Sequence, residues 1–456
     1  MNRIRTTVAL GLVLSAGLVT GCSGGAEPDA KPGGGETGKV TESASASAAP
    51  KTPVFQGKPV PGLAAKPAWS LTRDEAGTCA GKASVKDSSQ NDICTVGDAL
   101  ILTGYSAGKA GSRTFTVRLL DAGTGKLRKK LDFALPTKSN GYTSSSAVAL
   151  AQVAEWRDGS PAVLIRHRVD TPPSGLKKAS TQTVLTMYTP SGEKLGSSSF
   201  DEDTHMSTPV RNGYLVDAGS AGGSTFIPIG DGETVTSEAS HVDLKGTVGS
   251  GLGYYSQLDI SYQPSADWLT AKDVRTGNKA WNSKDLTPPA AIAKLVTSDK
   301  ATSARLMPFR GDKALLEWSS YGDSEEVMTL IDLKSGRRLA EGPAIDTNGT
   351  VDDDGLAISP DGKTAVVQYG KGAVAWNTET GKELWRQAED EVTIGPGDLP
   401  GNGVLYAYLD GVGAALDADD KKLLASEIAE MPQFTTNGYA AIHTSEGLFV
   451  FATQPV

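Results

Sequence analysis

The sequence predicts an all-β protein built from repeated four-stranded antiparallel sheets. Two observations indicate this: a polar turn with Thr or Ser before Gly recurs along the chain, and short apolar strands of alternating polarity flank each copy. Glycine suits such a turn because it adopts a positive φ without a Cβ clash. The clearest copies are "DAGTGKL", "TPSGEKL", "VRTGNKAW", "LKSGRRL" and "NTETGKELW", with glycines at 125, 192, 277, 336 and 381.

Two weaker copies fill the gaps between these turns. One offers Gly232 in "IGDGETV", and the other places Asp420 in "DADDKKLL", where Asp is expected to take the left-handed conformation. The turns lie about 40 to 67 residues apart, and periods of this size are typical of propeller blades. Only "PPAAIAKLV", residues 288–296, favours a short helix. The repeat therefore predicts a β-propeller over residues 63–456.

The two ends of this region complement each other. The last segment, "NGYAAIHTSEGLFVFAT", provides inner strands but ends before an outer strand, whereas "KPAWSLT" at residues 66–72 resembles the Trp-bearing outer strands "NKAWNS" and "KELWRQ". Pairing the first strand with the last blade would cover two free edges. This arrangement predicts eight blades closed by the two termini. Seven is the alternative, because the interval between Gly232 and Gly277 is irregular.

The N-terminus has the features of a secretion signal. Arg3 and Arg5 precede an apolar stretch that is too short for a comfortable membrane span, and "VTGC" ends at Cys22. That ending resembles a bacterial lipobox, which implies removal of residues 1–21 and lipid, including a palmitate-type acyl chain, on Cys22. We therefore expect a lipoprotein at the extracytoplasmic face of the cell membrane. The alternative is an ordinary secretory signal that happens to lie near a cysteine.

Residues 22–62 are predicted to form a disordered tether. Their Gly, Ser, Pro and Ala content leaves too little apolar surface to offset the entropy of ordering. A flexible chain of this length reaches roughly 35 Å. The globular part is then held near the membrane without being pressed against it.

Charge and cysteine content limit the partners. A formal net charge of −9 argues against nucleic acid or anionic lipid as the main partner, because phosphate binding needs clustered Lys and Arg. Cys79 and Cys94 remain after lipidation, and an even pair in an oxidising compartment predicts a disulfide. Closing a loop of about 15 residues contributes roughly 3 kcal/mol in the chain-entropy model. The spacing of the two cysteines fits no zinc or redox motif.

The best metal candidate is an acidic stretch, "TVDDDGLAISPD". Asp352, Asp354 and Asp361 have part of the spacing of a calcium loop, but Thr350 stands at the first ligand position and Asp rather than Glu at the last. The ordinary interpretation is an acidic turn between strands.

Two further patterns are weighed as catalytic or metal sites. "GYSAG" around Ser106 matches the Gly-x-Ser-x-Gly motif of a nucleophile elbow. That motif requires a helix after the Ser, whereas the residues after it predict another strand. The four histidines, at 167, 205, 241 and 443, come from different repeats and could converge only on the axis of a ring. We interpret both patterns as structural.

The repeated turn, written D-x-x-T/S-G-x-x-L/x-W, resembles the repeat of pyrroloquinoline-quinone-type β-propellers, and "SPDG" before "KTAVVQY" is similar to the entry turn of WD40-like blades. The resemblance covers residues 66–455. Quinone dehydrogenases of that family hold their cofactor against a pair of adjacent cysteines, whereas Cys79 and Cys94 are 15 residues apart and both precede the first full blade. The resemblance therefore implies a propeller lipoprotein without a quinone, and no cofactor is expected.

Taken together, these features predict a monomeric, lipid-anchored propeller that acts as a non-catalytic binding or scaffold module for protein or envelope components. One fold of this kind carries unrelated activities. The alternative is a hydrolase or lyase that acts on a glycan or lactone with residues meeting at the central axis.

Overall fold

The structure, a computed structural model, describes residues 53–456 apart from 83–91, 108–112, 136–148, 172, 175, 177, 202–205, 211–212, 218–223, 231–234, 238–253, 256–257, 264–267, 274–277, 296–300, 303–305, 309–311, 321–324, 347–354 and 370–371. Helices are short in this part of the chain: α1 is Arg73–Ala76, α2 is Ala290–Leu295, and Ser283–Asp285 forms a 3₁₀ turn. The short helix predicted within residues 288–296 is present as α2. None of the described helices has the length and apolar character needed to cross a bilayer.

Strands account for most of the described chain. The first half contains β1 (Trp69–Thr72), β2 (Thr78–Lys82), β3 (Asp92–Ile93), β4 (Thr95–Val96), β5 (Ala99–Ala107), β6 (Arg113–Asp121), β7 (Leu127–Leu135), β8 (Ala149–Glu155), β9 (Pro161–Thr171), β10 (Ser180–Tyr188), β11 (Lys194–Asp201), β12 (Met206–Val210), β13 (Gly213–Asp217), β14 (Ser224–Pro228) and β15 (Val235–Ser237). The second half contains β16 (Tyr254–Tyr255), β17 (Leu258–Gln263), β18 (Trp268–Asp273), β19 (Lys279–Asn282), β20 (Ala301–Thr302), β21 (Leu306–Pro308), β22 (Lys313–Ser320), β23 (Glu325–Asp332), β24 (Arg338–Asp346), β25 (Leu356–Ile358), β26 (Thr364–Tyr369), β27 (Gly372–Asn377), β28 (Glu383–Arg386), β29 (Ile394–Asp398), β30 (Val404–Leu409), β31 (Val412–Asp417), β32 (Leu423–Ser426), β33 (Gln433–Phe434), β34 (Tyr439–His443) and β35 (Gly447–Ala452).

These strands form successive antiparallel groups. Six groups contain four consecutive strands each: β4–β7, β8–β11, β12–β15, β16–β19, β25–β28 and β29–β32. A further group contains five strands, β20–β24, in which β20 and β21 both pair with β22. Strand β2 connects the first two groups, because it pairs antiparallel with β5 and parallel with β8. The predicted all-β class and the four-stranded antiparallel sheets are confirmed.

The last group combines the two ends of the described chain. Its strand order is β1-β35-β34-β33, and Trp69 of β1 lies opposite Val450 of β35. This is the strand pairing that the sequence predicted for the termini. Blade number and closure of a ring remain predictions.

The repeated turns have the predicted backbone. Gly125, Gly192, Gly336 and Gly381 all have φ between 69° and 85°, whereas Gly232 and Gly277 lie outside the described residues. At the first turn, the Asp121 carboxylate accepts hydrogen bonds from the backbone N–H and the hydroxyl of Thr124, both at 2.8 Å. A local side-chain cap thus stabilises the turn.

The prediction of a left-handed Asp420 is wrong. Lys421 has the positive φ, 58°. Its N–H donates to the Asp417 carbonyl at 2.9 Å, just as the N–H of Gly125 donates to the Asp121 carbonyl at 2.8 Å. The residue with positive φ is therefore the fourth after the acid that caps the turn. The sequence-based prediction placed it one residue too early.

Neighbouring groups pack face to face through their strands. Ile101 and Phe115 of the first group share an apolar cluster with Ile165 of the second. The first group also packs against the last, where Leu100 shares a cluster with Val450. Strands buried on both faces explain the near-continuous apolar runs in the sequence.

The N-terminal segment 53–62 contacts the last two groups, although the sequence assigned it to the tether. The ring of Phe55 lies 5.3 Å from that of Phe449 and 5.1 Å from that of Phe451. The Pro61 carbonyl accepts a 2.5 Å hydrogen bond from the Tyr406 hydroxyl. Apolar and turn residues at the end of this polar segment thus pack against the last two groups. The rest of the predicted tether, the signal sequence and Cys22 lie outside the described residues.

Candidate functional site

A disulfide joins Cys79 and Cys94 at the junction of the first two groups. Cys79 belongs to β2, Cys94 directly precedes β4, and their Cα atoms are 4.7 Å apart. Both side chains are buried, with 5% and 1% exposure. Because β2 is held by both β5 and β8, the disulfide fixes the place where these two groups share a strand.

His443 lies beside this disulfide. It ends β34 in the last group, and its imidazole nitrogen and the two sulfur atoms lie within 4.8 Å of one another. His167, by contrast, contacts the ring of Phe133 at 4.7 Å, and burial lowers the pKa of His167. His205 and His241 lie outside the described residues. Sequence reasoning missed the pairing of His443 with the cysteines because more than 300 residues separate them.

Asp361 takes part in a turn. Its carboxylate accepts hydrogen bonds from the Ser359 hydroxyl at 2.6 Å and from the Lys363 N–H at 3.0 Å. The hydrogen bond from Ser359, followed by that from Lys363, lowers the pKa of Asp361. Asp352 and Asp354 lie outside the described residues, so the proposed grouping of the three acids is untested.

Ser106 lies inside a strand. It belongs to β5 and is opposite Thr114 of β6. The strand that the sequence predicted after "GYSAG" is present, and no strand-to-helix turn occurs at Ser106.

An indole contact links neighbouring groups. The Nε1 atoms of three tryptophans donate to carbonyl oxygens in the group that follows: Trp69 to Ala122 at 2.8 Å, Trp281 to Leu333 at 2.7 Å and Trp385 to Ala418 at 2.8 Å. We call this the Trp–turn contact, since each acceptor lies within a repeated turn. Trp281 and Trp385 each lie four positions after the turn glycine of their own repeat.

The same contact explains the turn glycines. A Cβ atom added to Gly125 would lie 2.8 Å from the ring of Trp69, and one added to Gly336 would lie 2.8 Å from Trp281. Lys129 occupies the Trp position of its repeat, and its side chain packs in the same way against Gly192. Each turn is thus both a hairpin and a docking point for the preceding group.

Three exposed apolar side chains lie at one end of the group β29–β32. Val392, Tyr408 and Val412 are 52%, 44% and 50% exposed. They surround the tight turn between β30 and β31, where Asp410 and Gly411 both have positive φ. Tyr408 lies opposite Gly413 and Val412 opposite Leu409, so these two side chains point to opposite faces of the sheet. This end of the group therefore exposes apolar side chains on both faces, which is suited to contact with another protein.

An apolar cleft of about 410 Å³ lies between the segment 53–67 and Phe451. Lys66 is the one charged residue among those that line it. The cleft therefore offers no pair of titratable groups for acid–base chemistry.

Comparison with known proteins gives one family match. The family described as outer membrane protein assembly factor BamB matches residues 323–453, which span β23 to β35. No curated protein sequence matches the chain significantly.

Several solved structures are similar over most of their length. BamB from Moraxella catarrhalis is 14% identical, with 80% of this chain and 94% of that chain covered and a TM-score of 0.38. The β-propeller domain of Cps50 (Swd1) from Myceliophteria thermophila is 12% identical over 73% and 95% of the two chains, with a TM-score of 0.33. Hsv2 from Kluyveromyces lactis is 10% identical, with 66% of this chain and 97% of that chain covered and a TM-score of 0.35.

Proposed function

We propose that this protein is an extracytoplasmic β-propeller, attached to the cell membrane by lipid on Cys22, that binds or scaffolds protein or envelope components without catalysing a reaction. The observation that carries the proposal is the match of residues 323–453 to a family described as an assembly factor. The match falls on the groups in which the turns and strands repeat most regularly.

The propeller has eight blades in this proposal. In the described part of the chain the strands fall into eight antiparallel groups, the last of which takes β1 as its outer strand. The Trp–turn contact supports a closed ring. The contact from Trp69 to Ala122 joins the last group to the first, at the same 2.8 Å donor–acceptor distance as the contact from Trp385 to Ala418 between consecutive groups.

The exposed residues around Tyr408 are the proposed contact surface. Only two residues separate β30 from β31, so a partner would bind the apolar side chains beside this turn without ordering a long loop. The partner class is a protein, since the exposed side chains are apolar, and it belongs to the cell envelope, since the proposed lipid anchor holds the chain there.

In-cell crosslinking tests this proposal. A photo-reactive amino acid would replace Tyr408, and the matched control would place it at Glu379, an exposed turn residue of another group. We expect mass spectrometry to identify a reproducible set of envelope proteins captured from position 408 and not from 379. Identical captured sets at both positions, or none at 408, would contradict the proposed surface.

A further inference from the structure

Three separate parts of the chain bring metal-binding side chains together. Cys79 comes from β2, Cys94 from the residue before β4, and His443 from the end of β34. Their two sulfur atoms and an imidazole nitrogen lie within 4.8 Å of one another. In the described residues this is the one group of three such side chains, and its members join the first group of strands to the last.

The spacing suits a tetrahedral metal ion once the sulfur atoms are separate thiols. Zinc binds sulfur at about 2.3 Å and imidazole nitrogen at about 2.0 Å, so its ligand atoms lie roughly 3.5–4 Å apart. In the disulfide the two sulfur atoms are bonded, so after reduction they must move apart by about 2 Å to reach that spacing, while the imidazole nitrogen already lies within 4.8 Å of both.

The surroundings favour a cation over two free thiolates. Cys79 and Cys94 share an apolar cluster with Leu100 and Leu448, where an uncompensated negative charge is costly. A bound cation would neutralise both sulfur atoms. His443 is only half-buried, so the ion can enter from that side and keep one position for solvent.

We propose that the dithiol form of Cys79 and Cys94 binds one thiophilic cation of the Zn²⁺ class together with His443, and that disulfide formation excludes the cation. A dithiol reductant supplies two electrons and two protons to break the sulfur–sulfur bond and becomes a disulfide itself. The cation then displaces the thiol protons, which pass to solvent. Two soft sulfur ligands, and no carboxylate in the group, select zinc over calcium or magnesium.

Metal binding by the full chain in detergent tests the proposal. Protein reduced with dithiothreitol and then freed of it would be titrated with Zn²⁺ against a chromophoric chelator, and with Cd²⁺ to observe sulfur-to-metal charge-transfer absorption. We expect one ion per chain, release of about two protons and no binding by the oxidised protein. His443→Ala should weaken zinc binding at least about tenfold, while His167→Ala, the matched control, should not.

Reduction could also unfold the protein, and melting curves resolve this. If the reduced chain loses its cooperative melting transition, Zn²⁺ should restore it in the unaltered protein and fail to do so in Cys79→Ser/Cys94→Ser. The proposal is overturned if the reduced chain binds no ion, if His443→Ala binds zinc as tightly as the unaltered protein, or if the reduced chain stays unfolded with zinc present.

Discussion

The indole Nε1 of Trp385 donates a 2.8 Å hydrogen bond to the carbonyl oxygen of Ala418, 33 residues away in the next group of strands. Trp385 is 7% exposed, so the bond lies in an apolar environment where an unsatisfied carbonyl is costly. The contact makes the stability of one group depend on the turn of its neighbour.

Replacing this indole should separate its two contributions. Trp385→Phe leaves the Ala418 carbonyl without this donor but keeps most of the apolar area, so we expect a loss of about 1–3 kcal/mol in the free energy of unfolding. Trp385→Ala should cost about 3–5 kcal/mol because it also leaves a cavity. Denaturant midpoints measure both, with the exposed neighbour Leu384→Ala as the control. Equal midpoints for Trp385→Ala and Leu384→Ala would contradict the contact.

The turn glycines should differ according to what faces them. Gly336→Ala suffers both left-handed strain and a clash with Trp281, whose ring would lie 2.8 Å from the new Cβ. Gly411 also has a positive φ, 83°, but nothing lies within 4 Å of the added atom. We expect Gly336→Ala to lose about 1–3 kcal/mol more than Gly411→Ala, measured by denaturant unfolding. Similar losses for both would mean that strain alone matters.

The segment 53–62 should stabilise the last two groups. Phe55→Ala removes two edge-to-face ring contacts and should cost about 1–2 kcal/mol. Val54→Ala is the control, because Val54 is 67% exposed. Deleting residues 25–52 from a soluble variant should leave the melting temperature unchanged. A fall in the melting temperature on that deletion would show that the ordered part begins earlier.

Acid should weaken the first group through Asp98. The hydrogen bonds from Arg128, at 2.8 and 2.9 Å, lower the pKa of Asp98. A carboxyl with a lowered pKa contributes stability above its unfolded pKa, about 3.9, and loses it as pH falls through the folded value. Denaturant midpoints between about pH 5 and pH 2 should therefore fall less in Asp98→Asn than in the unaltered protein, with exposed Asp390→Asn as the control. A pH profile that Asp98→Asn leaves unchanged would contradict this role.

The lipid anchor is tested at Cys22. Cys22→Ser should release the protein from the membrane fraction or stall its processing, because lipid can attach only to the thiol. Fractionation and intact mass measure this, with Ser23→Ala as the control. Membrane association and mass that match those of Ser23→Ala would point to an ordinary secretory signal instead.

Sequence alone was sufficient for features that depend on a few neighbouring residues. Gly125, Gly336 and Gly381 take the predicted positive φ because a turn needs only its own cap and a residue without Cβ. The same local reasoning predicted the positive φ at Asp420, one residue before Lys421, which has it. The left-handed position in this turn is set by the hydrogen bond from the Lys421 N–H to the Asp417 carbonyl. A run of similar polar residues does not show which N–H makes that bond.

The tertiary structure decided the side-chain contacts between residues far apart in the chain, although the pairing of the first strand with the last group was predicted from the sequence. It placed Trp69 against Gly125, His443 beside Cys79 and Cys94, and Phe55 against Phe449. None of these contacts has a local signature, since an indole, an imidazole or a phenyl ring is compatible with many strands. The strand pattern came from the sequence because each strand and turn is stabilised locally, whereas the partners across sheets were selected only when whole groups packed together.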